Sequence, residues 1–120
     1  MPTISGFLHF FTSAFTAQYL FPVVKHLIME KIQKLEMMDK ILRELEDIKS
    51  SQTSVLKKIS QVEAENINLG VQLLDKSLPD VHESVDKGIT DISNLQEKFQ
   101  EHRNKFSRDN KLEAADTVTA

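Results

Sequence analysis

The sequence predicts an all-α, elongated fold: a long coiled-coil helix, then a shorter helix making a helical hairpin or a kinked rod, with an apolar helix in front. Three observations carry this. Apolar residues recur every seven positions over a long stretch, turn-forming residues are scarce, and composition changes abruptly near residue 24. With three Gly and three Pro in 120 residues, there is too little punctuation for a sandwich or an alternating α/β fold.

The change of composition comes first in the chain. Up to Val24 there is no Asp, Glu, Lys or Arg, and five of the seven Phe and the only Tyr lie there. From Lys25 on, charges occur every few residues. Residues 1–24 therefore form an apolar N-terminal segment whose natural solvent differs from that of the rest. Within it, residues 4–24 would extend about 31 Å as a helix, enough to cross a bilayer core. Phe7, Leu8, Phe10, Phe11, Phe15, Leu20 and Phe21 are the candidate anchor residues.

Ser5, His9, Thr12, Thr16 and Tyr19 fall on one helical face and dilute the segment's hydrophobicity. Spanning, lying at the interface, burial in a protein core and cleavage as a signal are all open, although a basic leader and a small-residue cleavage site are missing. Lys25, Lys31 and Lys34 follow the apolar run. For a spanning anchor they place the C-terminal part on the cytoplasmic or matrix side.

Residues 25–76 read as the long coiled-coil helix. With position a at Met38, Leu45, Gln52, Ile59, Asn66 and Leu73, position d falls on Ile41, Ile48, Val55, Val62 and Leu69. A strict seven-residue repeat marks a supercoiling seam, because a straight helix of 3.6 residues per turn would drift out of it. Gln52 and Asn66 are the polar members, suited either to fixing register or to hydrated soft spots. Upstream, the apolar Leu27, Ile28, Ile32 and Leu35 continue the seam out of step.

Ser77-Leu78-Pro79 resembles a capped helix start, so the sequence places the break between Asp75 and Pro79. Residues 77–107 form the second helix, with a at Leu78, Val85, Ile92, Phe99 and Phe106 and d at Val81, Gly88, Leu95 and His102. A short connection favours antiparallel neighbours. Residues 108–120 read as a flexible polar tail. His102, at a d position, raises the idea of a buried imidazole sensitive to pH.

The chemistry of sites is thin. There is no Cys, no phosphate-binding loop, and no pair of histidines at metal-ligand spacing. No catalytic, cofactor or metal residue is assigned, and an enzyme is not expected. His82 beside Glu83 and Asp86 reads as a solvated first turn. The net charge of −3 argues against nucleic acid as a partner. Lys98, Arg103, Lys105, Arg108 and Lys111 form the most basic stretch, suited at most to phosphate or lipid headgroups.

These features point to a non-enzymatic, membrane-anchored scaffold or tether. Its partners would be the membrane through residues 4–24, and a second copy or another coiled-coil protein. The alternatives are a soluble helical component, for example of a viral or phage particle, and a protein that lies on lipid surfaces.

Overall fold

The computed structural model describes the backbone of residues 2–113 and the side chains of residues 20–113. It comprises two helices, α1 (Pro2–Leu69) and α2 (Gln72–Asp109), folded back on each other as an antiparallel hairpin. No strand occurs among the described residues. The molecule measures 102 × 22 × 16 Å. The kinked-rod alternative is excluded by bonds that span the chain: Arg103 reaches Asp39 and Gln96 reaches Glu46.

The reversal comes earlier than expected. α1 stops at Leu69 because Gly70 adopts a left-handed conformation (φ +74°) and donates its N–H to the Asn66 carbonyl (2.7 Å), closing the last turn. Only glycine takes that conformation without steric cost. Asn66, 3% exposed, then clamps the turn with its side chain. Its Oδ1 accepts the Val71 N–H (3.1 Å). Its Nδ2 donates to the Val71 carbonyl (3.1 Å) and to Asp75 Oδ1 (2.7 Å).

The break predicted at Asp75–Pro79 is therefore corrected to Gly70–Val71. Ser77 caps nothing, and Pro79 sits well inside α2. The missing N–H of Pro79 removes a ladder bond to Asp75, a residue tied to the turn through its carboxylate instead.

α1 stays continuous through the poor helix formers Ser50–Ser54. Two of their hydroxyls bond back to carbonyls one turn earlier, Thr53 to Lys49 (2.9 Å) and Ser54 to Ser50 (3.1 Å).

The C-terminal end of α2 is also better defined than the sequence suggests. Lys111 has φ 56°, and Leu112 N–H bonds to the Ser107 carbonyl (2.8 Å) while Lys111 N–H bonds to that of Arg108 (3.1 Å). This is the paired pattern that ends a helix with a left-handed residue, followed here by an apolar one. Leu112 and Ser107 are buried, so residues 108–113, expected to be a loose tail, are part of the folded hairpin. The remainder of that tail, 114–120, lies outside the described residues.

Candidate functional site

Side-chain burial shows how the hairpin uses its seven-residue repeat. In α1 one stripe of half-buried or buried positions runs Leu35, Met38, Leu42, Leu45, Lys49, Gln52, Leu56, Ile59, Glu63, Asn66, with Ile32, Asp39 and Thr53 also half-buried. In α2 the stripe runs Leu78, His82, Val85, Ile89, Ile92, Gln96, Phe99, Arg103, Phe106, Asn110, with Leu74, Gly88, Ser93, Asn104 and Ser107 also covered. Steps of three and four alternate without a fault in both, so the heptads persist. The intramolecular seam is built from positions a and e, however, rather than a and d.

Of the expected seam residues, the a rows are therefore inside the hairpin: Met38, Leu45, Gln52, Ile59 and Asn66 against Leu78, Val85, Ile92, Phe99 and Phe106. The d rows are outside. Ile41, Ile48, Val55, Val62 and Leu69 in α1, and Val81 and Leu95 in α2, are all exposed, as is Leu73 beyond the turn. Leu42, Leu56 and Ile89 take their places in the seam.

The shift sets polar pairs along one edge of the hairpin. Arg103 donates from Nε to Asp39 Oδ1 (2.7 Å) and from Nη2 to Oδ2 (3.0 Å). Gln96 donates to Glu46 Oε2 (2.7 Å), and His82 Nδ1 lies 3.1 Å from Glu63 Oε1. Rotating each helix toward this edge closes three polar pairs, one of them a two-pronged charged fork of the strong class. The same rotation carries the d rows away from the partner helix.

Three sequence expectations fall with this geometry. His82 is not a solvated first-turn residue but spans the hairpin to Glu63. Arg103 belongs to the Asp39 pair, which removes it from the suggested basic cluster with Lys98, Lys105, Arg108 and Lys111. His102 is exposed and stacks on Phe99 with ring centroids 6.2 Å apart, so it is not a buried imidazole.

Because the helices run antiparallel and face each other, a given heptad position flanks the seam on the same side in both. The d rows thus lie together. The register set by the polar pairs brings Ile48 opposite Leu95, Val55 opposite Gly88, and Val62 opposite Val81. Gly88 leaves a gap in this face, and the Gln52 side chain occupies its floor: a Cβ at Gly88 would lie 3.6 Å from Gln52 Oε1 and Nε2. Gln52 Oε1 is buried without a hydrogen-bond partner.

A second apolar surface lies at the open end. The same register puts the end of α2 opposite about residue 35 of α1, so residues 20–34 project as a single helix. Leu20, Phe21, Val23, Val24, Leu27, Ile28 and Met29 are all exposed on it, Phe21 at 72%. Among the candidate anchor residues, Leu20 and Phe21 are on this overhang. The side chains of Phe7, Leu8, Phe10, Phe11 and Phe15 lie outside the described residues. Among the described residues, no helix is long and apolar enough to cross a membrane.

At the opposite end, Ile67, Leu69 and Leu73 are exposed around the turn, beside an open groove of about 400 Å³ lined by Glu63, Asn66, Asp75 and Pro79. No three His, Asp or Glu side chains among the described residues converge as metal ligands.

The chain matches no protein-family model, no curated protein and no solved structure.

Proposed function

We propose that this protein is a membrane-docked helical spacer: the N-terminal apolar segment holds it to a lipid surface, and the hairpin projects from it as a tether or scaffold. The observation that carries this reading is the overhang. Seven large apolar side chains between Leu20 and Met29 are exposed on a helix that has outrun its partner, and they continue the uncharged segment before them. In water such a surface is costly, at about 25 cal/mol per Å² of apolar area, and a lipid interface removes that cost.

The hairpin supplies reach: α2, which sets its length, has 38 residues, about 57 Å of helix. Lys25, Lys31 and Lys34 stand where the helix would leave the lipid; for a spanning anchor they favour the cytoplasmic or matrix side for the hairpin, and for an interfacial one they meet anionic headgroups. The helical spacing of Ser5, His9, Thr12, Thr16 and Tyr19 gives the segment one polar face, which suits docking at the interface better than crossing.

The test is membrane association of the full-length protein. Flotation with liposomes and retention in the membrane fraction after carbonate washing are expected, and both should fail when Phe21, Val24 and Ile28 are replaced by Asp. Complete release of the unaltered chain would end this reading.

A further inference from the structure

We infer that the exposed d-row face of the hairpin is a self-association surface, occupied by the same face of a second copy of this chain. Six side chains make the face: Ile41, Ile48, Val55 and Val62 from α1, Val81 and Leu95 from α2. Each is 38–50% exposed. They are contiguous over about 21 residues of α1, about 31 Å of helix, and lie on both helices at once.

The face has the size of an interface. Six aliphatic side chains left about half exposed amount to a patch on the order of 400 Å², the size of a typical monomer's largest apolar patch, which is often a functional one. Two such patches, with the flanking row, bury roughly 1,000 Å² on association, which is where specific interfaces begin. Among the described residues no third element covers it. The natural completion is a four-helix arrangement in which each seven-residue repeat is satisfied at a, d and e.

The N-terminal stretch does not cover the face either. α1 runs on as one helix from Leu20 back to Pro2, so its direction carries that stretch away from Ile41 and the residues beyond it.

Charge favours a like partner over a charged one. The outer edges of the face carry three acidic residues, Glu44, Glu65 and Asp91, and three basic ones, Lys58, Lys98 and Lys105. Their sum is zero, so two copies do not repel, and a strongly acidic or basic helix gains nothing there. The gap at Gly88 gives a partner side chain somewhere to seat. This inference does not depend on membrane docking, since none of these residues is on the overhang.

The protein contains no cysteine, so single thiols report proximity cleanly. Full-length protein in mild detergent is oxidised as the Val55→Cys variant, on the face, and as Ser54→Cys, on the outer side of α1. Val55→Cys should form a covalent dimer at least about tenfold faster than Ser54→Cys. In sedimentation over a range of concentrations the unaltered chain should pass from monomer to dimer. Ile48→Asp with Val55→Asp should raise the dissociation constant by about 100-fold or more, a tenfold loss for each apolar contact, with helicity unchanged.

A chain that stays monomeric throughout, with equal cross-linking at 54 and 55, would overturn the inference and leave the face to a different helix. Dimers that survive the double substitution would overturn it too. If the double variant loses helicity, the cross-linking comparison alone decides.

Discussion

Gly88 is the position where the hairpin can be tested most directly, because a single methyl group has a calculable effect there. The residue lies in the interior of α2, with ordinary helical geometry. A glycine at such a site costs roughly 0.5–1 kcal/mol relative to alanine, through the freedom it has in the unfolded chain. The space for the methyl group exists. The nearest atoms to a Cβ would be those of the Gln52 amide, at 3.6–3.9 Å, which is ordinary contact and demands no movement. It would also lay apolar surface over the gap in the d row. Gly88→Ala should therefore stabilise the hairpin by about 1 kcal/mol. In urea that is a shift of the midpoint by roughly 0.3–1 M at unchanged slope, read by circular dichroism at concentrations low enough for the chain to be monomeric. A destabilised variant would show that α1 and α2 approach each other more closely at this layer, and that the register derived from the polar pairs is wrong there.

Other substitutions probe the remaining contacts. Gln52→Leu removes a buried oxygen with no partner and should raise stability by about 1 kcal/mol in the same titration. Asn66→Ala breaks all three bonds that clamp the turn and strands the Val71 N–H, so a loss of roughly 2–3 kcal/mol is expected. Asp39→Ala and Arg103→Ala, combined in a double-mutant cycle, should show a coupling of about 1 kcal/mol or more, since the pair is mostly shielded and two-pronged; no coupling would mean that the edge does not hold the seam. Lys111→Gly should gain roughly 1 kcal/mol by relieving the left-handed backbone at the end of α2.

Much of this architecture is legible in the sequence, and the misreadings have identifiable physical causes. The a rows are visible because apolar residues held at spacing seven over many turns keep to one stripe of a helix, and a stripe that long has to be covered. Asn66 stands out as an amide in an apolar row, and the structure gives it a sharper task than register: it ties Val71 and Asp75 to the end of α1. The turn itself is misplaced because Ser77-Leu78-Pro79 carries several start signals, whereas Gly70 is a single residue whose left-handed geometry must be known before it outweighs them. The polar edge is illegible for a different reason. Asp39, Glu46, Glu63, His82, Gln96 and Arg103 look like a solvated face until the partner helix is placed, and the pairs they form lie 19 to 64 residues apart.

The edge and the exposed face are two consequences of one rotation. A seven-residue repeat offers an a–d seam or an a–e seam, and these helices carry apolar residues at a, d and, in part, e. Here e is inside, with three polar pairs along its edge, and d is left outside. The resulting core is thin: Leu35 and Leu112 are the buried apolar residues among those described, both near the open end of the hairpin. Elsewhere the apolar seam residues are covered by a single neighbouring helix and stay partly exposed. Helices draw most of their stability from tertiary packing of an apolar face, so a hairpin that packs its a and e rows on its partner and leaves the d row in water is stabilised further by whatever covers the d row. Association through Ile48, Val55 and Leu95 and folding of the hairpin should then be linked, with urea midpoints that rise with protein concentration. The d-face substitutions should abolish that dependence while leaving the Asp39–Arg103 coupling intact.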